Sequence, residues 1–126
     1  MSNKPNVISI DGVNYIKEGD FKPAESVDGM KLCMIRSTDA GVFYGYIKSS
    51  EFTPGGRAIV VNQCKRIHGW AGACSITQLA LEGTKKPKEC RITDPTDNHE
   101  IMGIIELIPM TDVAKKSLDE VEIWKV

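Results

Sequence analysis

The chain has 126 residues, 41% hydrophobic and 26% charged, with a formal net charge of -1. That length fits a single domain able to bury about two-thirds of its unfolded surface. The charge balance lacks the overall basic field that a general DNA or RNA binder needs to neutralise phosphates. No apolar run approaches the about 18 residues of a membrane span. Met1–Asn6 is polar with no long apolar stretch behind it, which does not read as a signal peptide. No nucleic-acid or membrane partner is therefore expected, and the expected location is cytoplasmic. The four cysteines, Cys33, Cys64, Cys74 and Cys90, form no C-x-x-C pair, and Cys64, His68 and Cys74 match no common zinc spacing. They read as reduced, mostly buried thiols, with no metal and no cofactor expected.

In chain order, Val7–Ile10 and Val13–Ile16 flank Asp11-Gly12, a two-residue hairpin signal because both turn positions need positive φ. Glu18 to Gly29, with Gly19, Pro23 and scattered charge, reads as a linker, so residues 1–29 are taken as hairpin plus linker and residues 30–126 as the core domain. Met30–Arg36, Val42–Lys48 and Arg57–Gln63 read as strands. The turns between them, around Asp39-Ala40-Gly41 and Pro54-Gly55-Gly56, are too short for parallel crossovers, so the three form an antiparallel meander. Ser75 with Gln78 is a capping-box pattern for a helix from Ile76 to Glu82, with Gly83 as a left-handed stop. Thr84–His99 reads as a long loop in which His99 is solvated, Glu100–Met110 as a central strand, Thr111-Asp112 as the cap of a helix reaching Leu118, and Glu122–Val126 as a closing strand. The fold class is α+β: an antiparallel meander with two short helices.

No nucleophile elbow, phosphate loop or dinucleotide fingerprint is present, the two histidines, His68 and His99, match no metal-binding spacing, and a thiolate pair of Cys64 or Cys74 with His68 would lack the third, orienting group, so the chain is not read as an enzyme. The carboxylates Asp94, Asp97 and Glu100 do not follow the alternate-ligand pattern of a calcium loop and read as solvated. The densest chemistry lies between Lys65 and Ser75. Arg66 offers a bidentate fork for phosphate, Lys65 a point charge, His68 or Trp70 a stacking ring, Gly69 and Gly72 close backbone approach, and Ser75 a helix-start anion cap. The same residues also fit a plainer role, with Trp70 as a plug over a sheet and Lys65-Arg66 as an exposed strand end. A second concentration is Arg36 with Phe43, Tyr44 and Tyr46. One face of that hairpin must be core, and the other is open to a ligand or a subunit. Arg57 and Arg91 are further cations that either line another site or face water.

The run Ile35-Arg36-Ser37-Thr38-Asp39-Ala40-Gly41-Val42-Phe43-Tyr44-Gly45-Tyr46, then Cys64 to Ala73, Ser75 to Gly83, Ile104-Glu106-Ile108-Pro109 and the closing Trp124-Lys125-Val126, resembles a family of small phage proteins that includes the first-described Thoeris anti-defence sponges. The resemblance spans about Leu32 to Val126 and leaves the N-terminal hairpin outside. It implies a protein that binds a cyclic ADP-ribose isomer made by TIR-domain enzymes without cleaving it, in the cytoplasm of the infected bacterial host. Some relatives also trap cyclic oligonucleotides of CBASS defence, and the family assembles as dimers and hexamers. Where relatives carry an aromatic after Arg-Ile, this chain carries His68. The ligand-binding set is then Arg36, Phe43, Tyr44, Lys65, Arg66, His68, Trp70, Gly72 and Ser75, in a homodimer or homohexamer. The rival expectation is a non-enzymatic phage accessory protein or a binder of a host protein.

Overall fold

The structure, a computed structural model, describes the strands Val7–Ile10 and Val13–Ile16 and residues 22–126. β1 (Val7–Ile10) and β2 (Val13–Ile16) pair antiparallel with Ile10 opposite Val13, and the Asp11-Gly12 turn lies outside the described residues. The rest is α+β. One antiparallel sheet holds β3 (Leu32–Ser37), β4 (Gly41–Thr53), β5 (Gly56–Gly69), β6 (Arg91–Ile92), β7 (His99–Ile101) and β8 (Ile104–Pro109). Among the described residues, two α-helices, α1 (Ile76–Glu82) and α2 (Asp112–Asp119), and a single 3-10 turn (Pro87–Glu89) complete it. The strand order is β6-β5-β4-β3-β8, and β7 also pairs with β5.

This connectivity forces the sheet to curl. Across β7-β5-β4-β3-β8, a flat sheet would hold β7 and β8 about 19 Å apart. Only Met102 and Gly103 join them, and that span reaches at most about 11 Å. The edges are drawn together: Ser37 Oγ donates to the Met102 carbonyl (2.6 Å), and the Thr38 N–H donates to that of Gly103 (3.0 Å). Gly103 takes φ +68 against Thr38, a conformation and a space that a side chain would not tolerate.

The alternation of β3 and β4 then builds two cores rather than one. Cys33, Ile35, Phe43, Ile59, Val61, Cys64 and Ile101 fill the inside of the curl. Leu32, Met34, Tyr44, Tyr46 and Ile67 face outward and are covered by Leu79 and Ala80 of α1 and Ala114 and Leu118 of α2. The helices are well capped. Ser75 Oγ accepts from the Gln78 N–H (3.3 Å), while Gln78 reaches back to the Cys74 N–H (2.7 Å). Buried Thr111 accepts from the Ala114 N–H (3.0 Å) and donates to the Leu81 carbonyl (2.7 Å), so one hydroxyl starts α2 and ties it to α1. Gly83 stops α1 at φ +77, packed so closely on Ser117 that a Cβ would collide with it.

Several expectations are corrected. Lys22–Gly29 is no loose linker: Ala24 donates to the Met110 carbonyl (3.0 Å), Asp112 donates to that of Lys22 (2.9 Å), and Ala24 and Val27 pack on the outer core. β5 runs past the expected end at Gln63 to Gly69, so Lys65, Arg66 and His68 are strand residues. The supposed loop Thr84–His99 supplies β6 and the start of β7. Glu100–Met110 is not a central strand; the turn at Gly103 splits it between the outer edges of β5 and β3. Its apolar residues divide: Ile101, Ile104 and Leu107 pack inside the curl, Ile108 and Met110 join the outer core, and Met102 and Ile105 are exposed. The closing strand reduces to a bridge between Ile123 and Ile92.

Candidate functional site

Strand register decides the fate of the proposed ligand-binding residues. Arg36 lies opposite Val42, whereas Arg66 lies opposite Phe43. Neighbouring strand residues point to opposite faces, so the two guanidinium groups are on opposite sides of the sheet and cannot grip one phosphate. Arg66 instead lies 4.4 Å over the Phe43 ring and donates to the Ala40 carbonyl (2.6 Å). His99 meets the same ring edge-on at 5.5 Å. Arg66 and His99 thus cap one inner core residue, and His99 is a half-buried strand residue, not a solvated loop residue. Phe43 and Tyr44 are 0% and 2% exposed, which leaves neither ring free to stack on a base.

Lys65 is similarly engaged. Its ammonium sits 3.5 Å from Asp119 and 5.6 Å from the Tyr44 ring centre. Asp119 also accepts from Tyr44 Oη (3.0 Å) and pairs with Lys115 (2.6 Å). Burial pushes the Asp119 carboxyl up, but the hydrogen bonds from Lys115 and Tyr44 and the Lys65 charge outweigh it, and the net shift is downward. Burial, then the Asp119 charge, raises the Tyr44 phenol. The Asp119 hydrogen bond is the main cause that raises Lys115. This cluster ties β4 and β5 to α2.

The remaining residues divide. His68 is exposed and stacks on Trp124 (5.1 Å, 14°), which also carries Arg91 at 5.4 Å. Gly72 does permit a close approach, but by the chain itself: at φ +80, a Cβ would meet the backbone nitrogen of Lys86 at 2.5 Å. The amides at the start of α1 are partly consumed by the Ser75–Gln78 capping exchange, and at seven residues the helix makes no anion site of its own. Arg57 lies over Phe52 and donates to Ser50 Oγ (2.8 Å).

Three of the nine do converge. Arg36, Trp70 and Ser75 line one open cleft of about 470 Å³ with Val42, Ile76, Thr77 and Glu106. The outer sheet face supplies Val42 and the directly opposed pair Arg36 and Glu106, joined at 3.2 Å. The chain leaving β5 supplies Trp70, and the start of α1 supplies Ser75 to Thr77. A guanidinium, a carboxylate, an indole and a hydroxyl thus surround an apolar patch, and both charges remain about half exposed (53% and 41%). Sequence reasoning missed Glu106, whose relevance depends on the β3–β8 register across 70 positions. A larger open cleft of about 630 Å³ lies beside the C-terminal segment. Its aromatic, Trp124, is already stacked with His68 and Arg91, and its Lys125 is paired with Asp94 at 2.9 Å.

Among the described residues, no helix is long and apolar enough to cross a membrane. No curated protein and no solved structure matches this chain. A family model does match residues 30–118, from just before β3 to the last turn of α2, and it covers both walls of the Arg36–Trp70 cleft. The chain belongs to the family described as Domain of unknown function (DUF6948).

Proposed function

We propose that this protein captures a small nucleotide bearing phosphate in the Arg36–Trp70 cleft and holds it chemically unchanged. In its specific form the proposal is a phage sponge for a cyclic ADP-ribose isomer produced by TIR-domain enzymes, working in the cytoplasm of the infected host. Cyclic oligonucleotides of CBASS defence are further candidate ligands. The observation that carries the reading is the convergence of Arg36, Trp70 and Ser75 on one cleft. Arg36 suits phosphate oxygens, the indole suits a purine face, and the volume lies within the about 300–1,000 Å³ of small-molecule sites. The cleft is open, so tight capture calls for a second protomer to cover the ligand, consistent with a homodimer or homohexamer.

The test is filtration and calorimetry. Wild-type protein is mixed with a cyclic ADP-ribose isomer and filtered, then the retained fraction is heated and assayed for intact ligand. Retention, with release of unchanged ligand on heating, supports the proposal. Arg36→Ala and Trp70→Ala should each weaken binding by about tenfold to a hundredfold, the worth of a charge-assisted hydrogen bond or a stacked ring. Full recovery in the first filtrate, or wild-type affinity in both variants, overturns it. The rival reading is a protein-binding accessory, for which the one exposed ring near the tip of the β4–β5 hairpin, Phe52 (83%), is too small a patch to argue. That reading predicts no retained nucleotide.

A further inference from the structure

The cleft is not a simple cation site, and the departure from one is informative. Arg36 and Glu106 occupy directly opposed positions on β3 and β8 and meet at 3.2 Å, so the local charge of the wall is close to zero. Glu106 sits beside the only Arg or Lys among the cleft-lining residues. A polyphosphate or inorganic anion approaching Arg36 would be repelled by this carboxylate. A ligand that brings one or two phosphates together with neighbouring hydroxyl groups meets the same repulsion but offsets it, because an ionised carboxylate is an acceptor with several free lone-pair directions for those hydroxyls. Only Oε1 of Glu106 contacts Arg36, and the side chain is about 41% exposed. Capacity to accept from a ligand therefore remains.

We infer that Glu106 reads a ribose hydroxyl in this cleft and so selects a ribonucleotide with few phosphates over deoxynucleotides and bare phosphates. The inference rests on the cleft being the nucleotide site. It assigns a position to each part of the ligand: phosphate at Arg36, ribose at Glu106, base at Trp70. Glu106 acts by contact with the ligand, and its negative charge also sets the threshold that an anion must overcome to reach Arg36.

The experiment uses the full chain and three probes: cyclic ADP-ribose, its 2′-deoxy analogue and inorganic pyrophosphate. Wild type, Glu106→Gln and Glu106→Ala are titrated with each by calorimetry, and thermal melting confirms that the variants fold. The expected result is a crossover. Wild type prefers the ribo form by about tenfold, the worth of one hydrogen bond to a charged group at a half-exposed site. Glu106→Ala abolishes that preference while binding pyrophosphate more tightly than wild type. Glu106→Gln, which keeps an acceptor but loses the charge, retains part of the preference. Equal wild-type affinity for the ribo and deoxy forms overturns the inference, as does a preference that survives in Glu106→Ala. In either case, sensitivity to Arg36→Ala leaves the cleft standing as the nucleotide site. If no probe binds wild type, the functional reading itself falls, and the inference falls with it.

Discussion

Removing the Tyr44 hydroxyl separates a structural tyrosine from a ligand-stacking one. Tyr44 is 2% exposed, and its hydroxyl donates to Asp119 Oδ1 at 3.0 Å. A hydrogen bond to a charged group contributes about 1.5–3 kcal/mol. Tyr44→Phe falls at the lower end, because Asp119 is a third exposed and keeps Lys65 at 3.5 Å and Lys115 at 2.6 Å, so its charge is not orphaned. The expected loss is about 1.5 kcal/mol, or about 5 °C in Tm for a chain of this size. Asp119→Ala should cost about 2 kcal/mol, chiefly by leaving the buried phenol without an acceptor, since its lysine pairs, with the carboxylate a third exposed, are screened by solvent and contribute less. The double variant also removes the orphaned hydroxyl, so it should cost less than Asp119→Ala alone, giving a coupling larger than about 1.5 kcal/mol. Urea unfolding followed by far-UV circular dichroism measures all three. Ligand affinity should be unchanged in Tyr44→Phe. Additive costs, or a large loss of affinity with stability intact, would refute the assignment of Tyr44 to the core.

The same cluster sets a pH dependence. Because Asp119 titrates below its ordinary value, its stabilising contribution is present above about pH 4 and is lost as the pH falls through the lower native value. The advantage of wild type over Asp119→Asn, read from urea midpoints, should therefore be full at neutral pH and shrink on acidification. Tyr44 and Lys115 are shifted upward, so their contributions hold up to their ordinary values near about pH 10 and are lost above them. The thiols should divide by burial. Cys74 is exposed, whereas Cys33, Cys64 and Cys90 are buried, and burial pushes Cys64 up to about 12. A disulfide-exchange reagent at pH 8 should modify one thiol quickly in the native protein and all four after unfolding; a second fast thiol would contradict the buried placement of the other three.

Local signals carried the elements well. Ser75 with Gln78, Thr111 and Gly83 each announce a helix boundary through hydrogen bonds or backbone angles available within a few residues, and the structure places α1 and α2 where those signals put them. Short connections between Met30 and Gln63 likewise implied antiparallel neighbours, since no crossover fits. The candidate site was less legible. Grouping Arg66 with Arg36, or Phe43 with the ligand, required knowing which face each side chain joins. Both faces of this sheet are covered, one by the curl and one by the helices.

What the sequence determined on its own is therefore the local grammar: where helices start and stop, where strands turn, and the mixed α+β class. Only the tertiary structure decided that β7 and β8 close the curl, that Arg66 caps an inner core while Arg36 faces a cleft, and that Glu106 stands opposite Arg36 from 70 positions away. The physical reason is that capping and turn energies depend on adjacent residues, whereas strand register and sheet curvature are set by long-range packing. A one-residue change of register moves a side chain to the other face.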